Sequence, residues 1–125
     1  MNNDRFKIAI KIKSFILYLD NILVNYPKKE YILKNSIMRD SLSILELVYK
    51  ANNSIEKERY FDDICAKISM LDFYFEKSYK NKYISKKVFD KVIFELTTIM
   101  KMIYGWMKYE GNKLWWCFKY IWKRN

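Results

Sequence analysis

Apolar residues recur at helical spacing in four successive stretches of this chain, and this pattern constrains the fold more than any other feature. The clearest stretch has intervals of 3, 4, 3, 4 and 3 between its apolar members, which are Phe89, Val92, Leu96, Ile99, Ile103 and Trp106. Such spacing is typical of a helix that packs against neighbouring helices at a shallow angle. With only 2 glycines and 1 proline in 125 residues, the chain lacks the residues that a turn-rich β fold needs.

Three further stretches predict three more helices, each with one apolar face. We expect helices over about residues 4–24, 27–51, 53–80 and 85–110, joined by short connections. Because short connections place successive helices side by side and antiparallel, the predicted fold class is all-α, an up-down-up-down four-helix bundle. The bundle is predicted to span residues 1–110, and an aromatic and basic tail follows over residues 111–125. The expected core residues of the first three helices are Ile8, Ile12, Phe15, Leu19 and Ile22, then Leu33, Ile37, Ile44, Leu45 and Val48, then Phe61, Ile64, Ile68, Leu71 and Phe75.

Several residues have the properties of helix boundaries. Pro27 suits the first position of helix two, where its missing N–H is not needed. Asn53 and Glu56 have the spacing of a capping box at the start of helix three. Ser85 is a predicted N-cap for helix four, and Gly111 is expected to end that helix.

The charge of the chain favours an anionic partner, above all nucleic acid. The chain has 24 basic and 14 acidic residues and no histidine, which gives a formal net charge of +10. Phosphate contacts by lysine release counterions and make binding strongly dependent on salt. The alternative is a set of solvated helix faces that keep the protein in solution. All but four of the basic residues are lysine, which lacks the planar fork that reads guanine, so binding is expected to follow the backbone or the shape of the nucleic acid.

Connectivity predicts two basic zones, one at each end of the bundle. In an antiparallel bundle the start of helix one lies beside the end of helix four, and the start of helix two lies beside the connection between helices three and four. The candidate nucleic-acid-binding residues of the first zone are Arg5, Lys7, Lys11, Lys13, Lys101 and Lys108. Those of the second zone are Lys28, Lys29, Lys34, Lys82, Lys86, Lys87 and Lys91.

The chain lacks the residues that most catalytic sites need. Without histidine, no Ser-His-Asp or Cys-His arrangement and no HExxH metal site can form, and two glycines are too few for a phosphate-binding loop. Asp62 and Asp63 are explained by their place in the first turns of helix three, where carboxylates complement the helix dipole. We therefore expect no enzyme, with no catalytic residue, no metal and no cofactor, and a protein that acts by binding.

The cysteines and the apolar runs predict a cytoplasmic protein. Cys65 and Cys117 form neither a CxxC pair nor a zinc-binding spacing, so we expect reduced, incidental thiols. The longest apolar runs, residues 15–19 and 114–118, are far shorter than the ~20 residues that a membrane span needs. Lysines interrupt the apolar stretch at the start of the chain, which is unlike a signal peptide.

The tail combines aromatic with basic residues, and three interpretations of it are open. It docks on the bundle or on a sister subunit, it stacks on exposed bases, or it lies in a membrane interface as an amphipathic segment. Its aromatic residues are Trp115, Trp116, Phe118, Tyr120 and Trp122.

Short motifs at the helix boundaries resemble those of a family of small bacterial four-helix bundles. Residues 25–30, NYPKKE, and residues 51–53, ANN, resemble the family's FPK…ANN pattern. Ile84-Ser85 and Tyr104-Gly105-Trp106 extend the resemblance, which covers roughly residues 5–110. The family includes Avd, the accessory variability determinant of diversity-generating retroelements, and related bundle proteins encoded in ribosomal-RNA intervening sequences. The glycine–tryptophan pair favours the Avd-like branch.

The resemblance implies a basic homopentameric barrel that binds RNA or DNA and a reverse transcriptase. In that role the protein would support template-RNA-dependent mutagenic cDNA synthesis without any catalysis of its own. The chain departs from the family pattern at Glu76, where arginine is frequent, and at Tyr104, where glycine is usual. Tyr26 stands where the family has phenylalanine.

Two other functions stay open beside this one. The first is a structural or assembly bundle of the intervening-sequence type, whose charge serves contact with an acidic protein and which has no nucleic-acid role. The second is a membrane-surface protein that acts through its tail. The three functions differ in the partner that they predict: nucleic acid, protein or an anionic membrane.

Overall fold

Four α-helices account for most of the chain in the computed structural model, which describes residues 3–111 and the side chains from residue 7 onward. The helices are α1 (Asn3–Leu23), α2 (Tyr31–Asn52), α3 (Glu58–Lys80) and α4 (Lys86–Tyr109), and a 3-10 helix (Lys28–Glu30) precedes α2. The described part of the chain contains no strand, so the prediction of an all-α bundle of four helices is confirmed. Among residues 3–111 no helix is long and apolar enough to cross a membrane. The predicted tail lies outside the described residues from position 112 onward.

The four helices enclose one apolar core. Helix α1 packs against α2 and α4, and α3 packs against the same two helices. Phe15 of α1 and Phe75 of α3 meet edge to face across the core, with ring centroids 6.1 Å apart. Because each helix buries one stripe against two neighbours, the polar sides of all four helices are left on the surface.

The predicted core residues are buried, with two exceptions, Leu45 and Phe89. All five members of the α3 stripe and all five of the α1 stripe lie in the core. In α2, Leu45 is only partly buried and Leu47 is buried instead, because the helical spacing that begins at Leu33 and Ile37 continues through Ile44 to Leu47. In α4, Phe89 is partly buried and stacks on Tyr79, with ring centroids 4.7 Å apart.

The start and end of α4 agree with the sequence signals. The backbone N–H of Val88 donates to the Ser85 hydroxyl over 3.2 Å, which confirms the predicted N-cap. Gly111 has φ of 74°, a left-handed conformation that favours glycine and follows the helix end. Phe61 and Trp106 pack edge to face near this end, with ring centroids 4.9 Å apart.

The predicted capping box at Asn53 and Glu56 is wrong. Asn53 ends α2, where its N–H donates to carbonyls of the last turn, and α3 begins only at Glu58. The ammonium of Lys57 donates to the carbonyl of Ala51 over 2.9 Å, which holds the connection in a non-helical form. At the start of helix two, Pro27 precedes the short 3-10 helix, and the α-helix itself begins four residues later.

The expectation of a reduced thiol is wrong for Cys65. This residue is buried on α3, one turn beyond Phe61, and its sulfur is in a disulfide bond. The spacing of the cysteines excludes a zinc site of the CxxC kind, but it carries no information on the oxidation state of a thiol. The other cysteine of the chain, Cys117, lies outside the described residues.

Candidate nucleic-acid interface

The charges of the bundle are divided unevenly between its helices. Helix α1 has four basic and two acidic residues, and α4 has five basic and two acidic residues. Helix α2 has three basic and two acidic residues, whereas α3 has four basic and five acidic residues. Since α1 and α4 pack side by side, their net +5 lies on one side of the bundle, and the α2 and α3 charges cancel on the other. We call the surface of α1 and α4 the α1–α4 face.

Two contacts between α1 and α4 form the centre of this face. The ammonium of Lys11 forms an ion pair with the carboxylate of Glu95. The ammonium of Lys91 lies 4.5 Å from the centre of the Tyr18 ring, a cation–π distance. Burial, with a smaller contribution from the Glu95 carboxylate, raises the pKa of Tyr18 above its usual 10.0, so the phenol is neutral at physiological pH.

These contacts bring members of the two predicted basic zones together. Lys11 belongs to the predicted first zone and Lys91 to the second. In the structure both lysines take part in contacts between α1 and α4. The α4 residues of these contacts, Lys91 and Glu95, are four residues or about one turn apart. The contacts of Lys11 and Lys91 therefore lie one helical turn apart along α4.

The other predicted residues of α1 and α4 differ in their contacts. Lys13 and Lys108 each lie near an aromatic ring, at 5.9 Å from the centre of Tyr49 and 6.0 Å from that of Tyr104. Lys86 binds Asp90 one turn along α4, with the ammonium and carboxylate 3.2 Å apart. Lys7, Lys87 and Lys101 are exposed on the surface. Arg5 lies on α1, and its side chain is outside the described set.

The remaining predicted residues lie at the connections. The Tyr83 hydroxyl donates a hydrogen bond to the Glu30 carboxylate, and the rings of Tyr83 and Tyr26 lie 5.6 Å apart. These contacts place the 3-10 helix beside the connection between α3 and α4. The exposed lysines that this arrangement brings near one another are Lys28, Lys29 and Lys82, and the partly buried Lys34 follows on the first turn of α2.

The opposite side of the bundle is less suited to a polyanion. The Asp40 carboxylate of α2 is buried and lies 3.6 Å from the ammonium of Lys67 on α3. A cavity of about 380 Å³ beside this pair is also lined by Glu46 and Asp63, and these carboxylates repel phosphate. Among the described residues, no group of three or more acidic or cysteine side chains could hold a metal ion.

Two aromatic residues of the α1–α4 face were not predicted from the sequence. Tyr18 lies under Lys91, and Phe94 projects from α4 with 67% of its surface exposed. Phe94 lies outside the heptad stripe of α4, because that stripe passes through Val92 and Leu96. Its place in the sequence, on the polar side of a strongly basic helix, is the signal that could have identified Phe94 as a surface residue.

No protein-family model, curated protein or solved structure matches this chain. The resemblance to the Avd-like family stays a prediction that rests on the motifs at the helix boundaries.

Proposed function

We propose that this protein is a non-catalytic nucleic-acid-binding bundle whose α1–α4 face contacts the phosphate backbone. The observation that carries the proposal is the division of charge: the net charge of α1 and α4 together is +5, and that of α2 and α3 together is zero. A solvated surface needs no such division, because charge of either sign spread over all four helices gives the same solubility. A polyanion, by contrast, is bound by cations on one continuous side.

The family resemblance extends the proposal to partners. It supports an Avd-like accessory protein that binds a reverse transcriptase and takes part in copying a template RNA into mutagenised cDNA. The same resemblance supports a homopentamer of antiparallel up-down-up-down bundles. The stack of Tyr79 on Phe89 is in keeping with that connectivity, since it joins the end of α3 to the start of α4.

The test compares two charge reversals that change the net charge equally. The first variant, Lys7→Glu with Lys87→Glu, alters exposed positions of the α1–α4 face. The matched control, Arg39→Glu with Lys77→Glu, alters exposed positions of α2 and α3. Fluorescence anisotropy of a labelled structured RNA, from about 50 to 300 mM salt, gives the affinity and its salt dependence.

We expect the first variant to lose roughly tenfold or more in affinity and to have a salt slope smaller by about 1 to 2, since two phosphate contacts are lost. The control should lose less than about threefold. Circular dichroism checks that both variants keep their helices. Equal losses in the two variants would contradict a specific face, and the absence of wild-type binding at about 50 mM salt would contradict the proposed function as a whole.

A further inference from the structure

The outer side of α4 has an exposed aromatic ring in a row of lysines. Lys87, Phe94, Lys101 and Lys108 follow one another at intervals of seven residues, which is close to two helical turns. Each interval is about 10.5 Å along the helix axis. All four side chains are exposed, and they lie on the same side of the helix, away from the core stripe.

Phe94 differs from Tyr18 and Tyr104, two other aromatic residues of α1 and α4. The rings of Tyr18 and Tyr104 have a lysine ammonium over or near them. Phe94 is two-thirds exposed, and no aromatic ring or cation of the described residues lies against it. An exposed phenylalanine ring is unfavourable in water, so the surface gains free energy when a flat apolar partner covers it.

Charge complementarity restricts that partner. The ring projects from the helix with the largest positive charge, and Lys91 lies one turn before it on the side of α1. A partner with a flat face and a negative backbone fits both features, and an unpaired nucleotide has both. In a duplex the bases already stack on one another, so an exposed ring gains little from it.

We propose that the α1–α4 face binds single-stranded nucleic acid, with a base stacked on Phe94 and the adjacent phosphates near Lys87, Lys91 and Lys101. This inference rests on the proposed function and adds the strand form that the face prefers. A phenyl ring has no hydrogen-bonding group, so stacking on it tolerates any base. The preference is therefore for unpaired over paired strands rather than for a sequence.

The experiment measures the affinity of three variants for a labelled single-stranded RNA and for a duplex of the same sequence. Phe94→Leu removes the ring and keeps the apolar character, whereas Phe94→Tyr keeps the ring. Phe73→Leu is the matched control, because Phe73 is exposed on α3, outside the α1–α4 face. Light scattering of each variant records its mass in solution.

We expect Phe94→Leu to lose roughly five- to a hundredfold in affinity for the single strand and less than about twofold for the duplex. Phe94→Tyr and Phe73→Leu should bind both strands as the wild type does. Equal affinity of Phe94→Leu and wild type for the single strand would overturn the inference, and so would equal losses on single strand and duplex. A fall in the mass of Phe94→Leu would also overturn it, since the ring would then belong to a contact between copies of the chain. In each of these cases, salt-dependent binding by the wild type would still support the proposed function, which fails only if neither strand form is bound.

Discussion

Tyr83 joins two connections of the bundle through one hydrogen bond. Its hydroxyl donates to the Glu30 carboxylate, and this bond, followed by burial and the charge of Glu30, raises the pKa of Tyr83 above its usual 10.0. A pKa that is higher in the folded than in the unfolded protein stabilises the fold fully below pH 10, and the stabilisation is lost as the pH rises through the folded pKa.

Replacing Tyr83 by phenylalanine should therefore have a pH-dependent effect. Tyr83→Phe is expected to lower the free energy of unfolding at pH 8, and its difference from the wild type should shrink as the pH rises above 10. Urea denaturation of both proteins at a series of pH values measures this difference. Tyr109→Phe is the control, because Tyr109 is highly exposed on the last turn of α4. A difference that stays constant up to pH 11 would show that the phenol proton is not involved.

Helix α4 depends on a single side-chain cap. The Ser85 hydroxyl accepts from the N–H of Val88, which would otherwise lack an intrahelical partner. Ser85→Ala is expected to lower the free energy of unfolding by about 1 kcal/mol. Ser85→Asn can accept the same hydrogen bond, so its free energy of unfolding should differ from that of the wild type by only a few tenths of a kcal/mol. Thermal and urea denaturation provide the measurement. Equal losses in both variants would mean that the hydroxyl acts through something other than the cap.

At the scale of the helices, the sequence predicted the features that depend only on residues close together in the chain. The buried stripes of α1, α3 and α4 follow from spacing alone, and Ser85 and Gly111 mark their helix end by local chemistry. Asn53 is also a residue type that caps helices. The Lys57 ammonium, however, donates to a carbonyl at the end of α2, and α3 begins only at Glu58. That ammonium reaches back across the connection, which a spacing rule does not include.

The candidate site was predictable in its residue types and less so in its arrangement. The excess of lysine on α1 and α4 is visible in the sequence, and the structure places both helices side by side. That Lys91 meets Tyr18 depends on how far α4 is shifted along α1. Packing of the whole core sets this shift, so the contact of Lys91 with Tyr18 could not be derived from either helix separately.

At the scale of the whole molecule, one line of apolar residues is exposed on the surface of the described chain. Ile10, Leu17 and Val24 follow at intervals of seven residues along the outer side of α1 and its end, and Leu17 is 65% exposed. An exposed apolar line of this kind is typical of a contact between subunits. Such a contact on α1 leaves the α4 part of the α1–α4 face, with Lys87, Lys91 and Lys101, for the phosphate backbone. We therefore expect Leu17→Glu to reduce the proposed oligomer towards the 15.4 kDa of the single chain.

Native mass spectrometry and light scattering test this expectation. Phe73→Glu is the control, since it places the same charge on an exposed apolar position of α3. Loss of assembly in the control alone would move the subunit contact to α3, and a wild type that is monomeric would contradict the homopentamer.

The unequal charges of the two sides give the bundle an electric dipole moment that is transverse to its long axis. The +5 of α1 and α4 faces one way, and the neutral pair of α2 and α3 faces the other. Near a polyanion such a molecule experiences a torque as well as an attraction, so it turns its positive side forward before contact. This orientation acts over about 10 Å at 0.1 M salt and shortens the random search that precedes docking. Added salt should therefore lower the association rate constant by a larger factor than it raises the dissociation rate constant.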